Sequence, residues 1–111
     1  RESFAVVHLL RNAKSSVENV AVLLQTGRDR EAMQTVLSFI EIVLKALRII
    51  GYRGEENTDV ADFCQEFNAV LNELTGAFSL KDSVLIGDLL EYEISPKIDR
   101  LAELLEMESA L

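Results

Sequence analysis

The chain is poor in the residues that punctuate or staple small folds. Among 111 residues there are one Cys, one Pro, five Gly and no Trp, and aromatics make up 6%. A lone Cys excludes an internal disulfide and a cysteine-rich zinc site, and it suits a reducing compartment, so a cytoplasmic setting is expected. So few Gly and Pro cannot supply the turns that an all-β domain needs every eight to twelve residues. Basic residues are also scarce, 11 against 19 acidic, for a net charge of −8 and a pI near 4.6. No basic stripe is available to release counterions from a phosphate backbone, which argues against a nucleic-acid partner. No apolar run approaches the roughly 18 uncharged residues of a membrane span, so no membrane insertion is expected. The start, Arg1-Glu2-Ser3-Phe4, shows no signal peptide and no initiating Met, and reads as a fragment or a processed chain. Hydrophobic residues at 49% and charged residues at 27% are enough for one globular domain over 1–111.

What is present is helical spacing. Val6, Leu10, Ala13, Val17, Val20 and Leu24 stand three and four apart, which predicts a first helix from about Ser3 to Gln25, with Gly27 as a left-handed cap. A second is predicted from about Arg28 to Ile50, stopped by Gly51. It has Asp29 and Glu31 in its first turn, and Lys45 and Arg48 near its end, the order that the helix dipole favours. Gly51 to Asn57 reads as a loop and Thr58 as an N-cap. Val60, Phe63, Phe67, Val70, Leu74 and Ala77 then mark a third helix ending near Phe78, with Gly76 weakening its last turn. Ser79-Leu80-Lys81-Asp82 resembles a capping box for a fourth helix from about Leu80 to Glu108. Pro96 lies inside it, and an interior Pro loses a hydrogen bond and crowds the carbonyl four residues back. The segment is therefore kinked or split there, and the continuing rhythm Ile94, Ile98, Leu101, Leu105 favours a kink. Matched helices on short connectors predict an all-α, antiparallel up-down four-helix bundle.

The residues offer little chemistry. A di-metal bundle site needs Glu-x-x-His pairs, and the single His8 has no Glu three residues before it, so no metal or other cofactor is expected. Asp88 and Glu91 share a helical face and read as a solvated acidic surface. Cys64, beside Phe63 and Phe67, reads as a small core hydrophobe with a raised thiol pKa. Gly51 and Gly54 are isolated and form no phosphate loop. With no catalytic constellation, the chain is expected not to be an enzyme.

The second helix is the informative one. From Val36 to Ile50 eleven of fifteen residues are apolar, and the polar four, Ser38, Glu41, Lys45 and Arg48, fall within about 80° of one another. Val36, Ile40, Val43, Leu47 and Ile50 are expected at the core-facing centre. Leu37 and Leu44 extend the apolar arc on one flank, Ile42 and Ile49 on the other. A bundle helix needs apolar residues at about three positions in seven. The excess leaves two readings: neighbouring helices cover both flanks within the monomer, or one flank buries against another polypeptide, a protein partner or a second copy, with Ile42 and Ile49 the residues expected to be most exposed. Tyr92, between Glu91 and Glu93, is a further candidate contact.

Two resemblances are carried by short stretches. His8-Leu9-Leu10-Arg11-Asn12 is similar to the His-x-Leu-Lys-Gly stretch of histidine phosphotransfer domains. That likeness implies that His8 carries a phosphoryl group with Arg11 as its cation, although Asn12 replaces the family's Gly. Gly27-Arg28-Asp29 before Ala32, the apolar helix ending in Lys45-Ala46-Leu47, Phe67-Asn68-Ala69-Val70-Leu71, and Leu80-Lys81-Asp82 together resemble the flagellin-type export chaperones. These are small cytoplasmic helical bundles, and the likeness implies a chaperone that holds a secreted subunit's amphipathic tail in an apolar groove.

Overall fold

The computed structural model describes residues 2–53 and 58–109, with the side chains of 4–51 and 58–107. Every element in it is helical: α1 (Glu2–Glu18), α2 (Val20–Gln25), α3 (Asp29–Arg53), α4 (Thr58–Ser79), α5 (Ser83–Asp88), a π-helical stretch (Leu89–Ile94) and α6 (Ser95–Ser109). They form four rods, α1–α2, α3, α4 and α5–α6, within 45 × 24 × 18 Å. The first rod packs on α3 and on α6, while α4 rests on α3, α5 and the π stretch. The largest enclosed side chains are Phe39, Phe67, Leu10 and Leu74, followed by Ile86, Ile94, Ile98, Leu101 and Leu105. Among the described residues no polar side chain is buried, so the core is held by apolar area alone. No described helix is long and apolar enough to cross a membrane.

The predicted boundaries shift in three places. The first rod is broken at Asn19, whose N–H turns back to the Ser16 carbonyl at 3.1 Å, a tighter bond than the α pattern. Val17 and Val20 on either side remain fully enclosed, so the apolar stripe passes through the break. The α3 helix does not stop at Gly51 but continues to Arg53, and the rest of the expected loop lies outside the described residues. The fourth rod starts at Ser83 rather than Leu80. Its cap is Asp82, whose carboxylate accepts the Leu85 N–H at 3.0 Å, while Ser79 closes α4.

The connectors before α3 and before α5 share one design. Arg28 N–H reaches the Leu23 carbonyl and Gly27 N–H reaches Leu24; likewise Asp82 reaches Ala77 and Lys81 reaches Phe78. Each is a Schellman ending, with its pivot in the left-handed region. The first pivot is Gly27 at φ 78°, as expected, but the second is Lys81 at φ 55°. A side chain there costs about 1–2 kcal/mol, partly offset by the unfolded-state freedom that Gly adds. Lys81→Gly should therefore stabilise the protein by about 0.5–1 kcal/mol, read as a higher urea midpoint at unchanged slope.

The fourth rod runs helically from Ser83 through Pro96 to Ser109, with the π stretch lying immediately before the Ser95-Pro96 pair. Ser95 N–H donates to the Leu90 carbonyl, five residues back. The next amide in that register belongs to Pro96 and does not exist, so α winding resumes. Packing gives a second reason. Ile86, Leu90, Ile94 and Ile98, all buried, follow at steps of four. In an α-helix each such step overshoots a full turn by about 40°, or about 120° over three. A π turn holds one residue more than an α turn, about 100° of rotation, and brings the four side chains back to one face.

Candidate functional site

The rotation of α3 decides which apolar side chains reach water. Ala32, Val36, Phe39, Val43, Ala46, Leu47 and Ile50 are buried. Their centre lies about 30° round the helix from the expected one, toward Phe39 and Ala46. Phe39 explains the turn: a ring buries more area than any other α3 side chain, so its burial outweighs that of a flanking leucine. The consequence reverses the expected ranking of the two flanks. Ile42 and Ile49, expected outside, are half-buried against the core. Leu37 and Leu44 are 53% and 43% exposed. Ile40, expected at the centre, is only half-buried.

Leu37 and Leu44 stand two helical turns apart on one line, and Met33, one turn before Leu37, extends it. These three form an apolar strip along the outside of α3. At the Leu44 end it opens into a cleft of about 510 Å³ between α3 and α4, lined by Leu44, Leu47, Gly51, Cys64 and Asn68, with Glu41 and Arg48 beside them. At the other end Met33 borders a cleft of about 240 Å³ with Phe78, Leu24 and Ile86. Met33 was missed because it stands outside the dense Val36–Ile50 run. Its signal was its place four residues before Leu37. Ile42 lies on the opposite side of α3, in a cleft of about 350 Å³ with Leu9, Ala13 and Phe39.

Cys64 lines the Leu44 cleft, and burial pushes its thiol above the ordinary value, as expected. A thiol so placed is a poor nucleophile at neutral pH. Tyr92 is exposed on the π stretch, on a different rod from the α3 strip. Leu80 and Val84, also missed, are the most exposed large apolar side chains among the described residues and flank the α4–α5 turn.

His8 is exposed on α1, and its ring meets Phe4 edge-on, with centroids 4.8 Å apart. Arg11, the cation that a phosphohistidine would need, pairs with Glu106 of α6. The two residues sit on one helix, but the guanidinium is already matched to a carboxylate. Among the described residues no three His, Cys, Asp or Glu side chains converge on a possible metal position.

The model of one protein family, described as a domain of unknown function (DUF8042), matches residues 5–104. No curated protein and no solved structure matches the chain significantly.

Proposed function

We propose that this chain, which belongs to the DUF8042 family, is a non-catalytic interaction module. It is an antiparallel up-down four-helix bundle that holds an amphipathic helix of a protein partner along the outside of α3. Support for the antiparallel order comes from the pairing of α1 with α6. Lys14 bonds both carboxylate oxygens of Asp99 at 2.8 and 2.9 Å, while Arg11 pairs with Glu106, so numbers rise along one helix as they fall along the other. The shared clefts of Leu44 with Cys64 and Asn68, and of Met33 with Phe78, support the same order for α3 and α4. The cytoplasmic setting rests on the single cysteine.

The observation that carries the reading is the strip Met33–Leu37–Leu44, a line of large apolar side chains that flanks the face of α3 already filling the core. Burying an aliphatic side chain is worth about 1.5–3 kcal/mol, so covering this strip favours association. Charge selects the occupant. The chain carries −8 overall, and α4, the second wall of the Leu44 cleft, holds Asp59, Asp62, Glu66 and Glu73 with no Lys or Arg. A partner helix with basic residues beside its apolar face is attracted, and a second copy is repelled. An antiparallel copy packed with Leu37 on Leu44 also sets Glu41 beside Glu41. The resemblance to flagellin-type export chaperones points to the same kind of client, an amphipathic helical tail.

Light scattering on the purified chain tests the choice of occupant. Wild type and the Leu37→Glu/Leu44→Glu variant are both expected to have the monomer mass and the same helicity. A wild-type dimer that dissociates in the variant would assign the strip to self-association instead.

A further inference from the structure

On the far side of the bundle a second cleft, of about 570 Å³, lies between the first rod and the fourth. Both rods are irregular at this point. Glu18 and Ala21 flank the break at Asn19, and Leu90 and Glu91 belong to the π stretch. Lys14, held to Asp99 by two hydrogen bonds, marks one end, and Gly87, where a Cβ would stand in ordinary contact 3.7 Å from that of Ala21, marks the other. Lys14 and Ala21 are seven residues apart, so the slot is about 10 Å long. Its floor is apolar, made by the buried Val17 and Leu90. Its rim carries the exposed carboxylates of Glu18 and Glu91, one from each rod.

We infer that this slot binds a small organic cation, an ammonium or guanidinium head on a short apolar body. The apolar part lies on Val17 and Leu90, and the head sits at the rim with Glu18 and Glu91. An apolar floor with a few charged groups that fix orientation is the usual build of a small-molecule site, and the volume falls in the range of such sites. Lys14 does not neutralise the rim, because Asp99 already holds it. A π turn lining the slot agrees with the frequent occurrence of such turns at ligand sites. The occupant is a free small molecule rather than the partner helix, because the slot belongs to α1–α2 and α5–α6, whereas the apolar strip belongs to α3.

The test is a titration of isotope-labelled protein, followed by NMR, with phenethylammonium and with its neutral and anionic counterparts, phenylethanol and phenylacetate. Saturable shifts centred on Val17, Ala21, Gly87 and Ser95 are expected with the cation, and weaker ones or none with the other two. Glu18→Gln/Glu91→Gln, two exposed positions that leave the core intact, should weaken cation binding about tenfold. Ala21→Met, which fills the slot, should abolish it at unchanged helicity, and Val84→Ala, exposed on α5 and outside the slot, serves as the control that keeps it. No saturable shift with the cation, equal binding of all three probes, or unchanged affinity in the double Gln variant would overturn the assignment.

Discussion

Phe39→Ala should cost about 3–5 kcal/mol and lower the midpoint of thermal unfolding by about 12–20 °C, whereas Leu37→Ala should stay within about 0.5 kcal/mol of wild type. The two residues stand two apart in one largely apolar run, and only the rotation of α3 separates them. Phe39 is 1% exposed in a closed core, so truncation leaves a cavity that its neighbours fill only in part. Leu37 stands in water over half its surface, and Ala matches its helix propensity. Parallel thermal or urea melts followed by circular dichroism measure both values. Equal losses at the two positions would mean that Leu37 is as enclosed as Phe39, and would contradict this rotation of α3.

A single-residue deletion should have opposite consequences in α3 and in the π stretch. Removing Glu41 turns one half of α3 by about 100° relative to the other. Either Val43, Leu47 and Ile50 leave the core, or Val36 and Phe39 do. Each large side chain lost costs about 1.5–3 kcal/mol, so the total approaches the whole stability of a domain this size. No cooperative unfolding transition is expected. Removing Tyr92 instead takes out the extra residue of the π turn. The buried series Ile86, Leu90, Ile94, Ile98 then runs at steps of four, three and four, which an ordinary α-helix holds on one face. A folded, cooperatively melting protein is expected, and more so with Pro96→Ala, which restores the missing amide. Unfolding by the Tyr92 deletion as complete as that by the Glu41 deletion would show that the π turn is not a removable insertion.

These two cases mark how far the sequence could be read. Three-and-four spacing is a local property, and it gave four helical rods, their approximate ends, and Gly27 as a left-handed pivot. It could not give the rotation of α3, because eleven apolar residues in fifteen leave several faces able to point inward, and the largest ring, through its neighbours in space, chooses among them. That choice exchanged the expected exposure of Ile42 and Ile49 for that of Leu37 and Leu44. The π turn was half legible. Pro96 marked the place, and the three successive steps of four from Ile86 to Ile98 held the reason, but the reason shows only when the drift is summed. Lys81 as a left-handed pivot was hidden because the motif normally announces itself with Gly. The break at Asn19 has no such marker, since Val17 and Val20 keep the heptad rhythm across it.

The docking account is tested most directly by titrating labelled protein with a synthetic amphipathic helix about five turns long, apolar on one face and lysine-bearing on the other, with a glutamate-bearing counterpart as control. The account predicts saturable shifts along Met33, Leu37 and Leu44 with the basic helix alone, lost in Leu37→Glu/Leu44→Glu and kept in Val84→Glu, where an equally apolar side chain is exposed elsewhere. Shifts that centre away from α3, or that survive the double substitution, would contradict it.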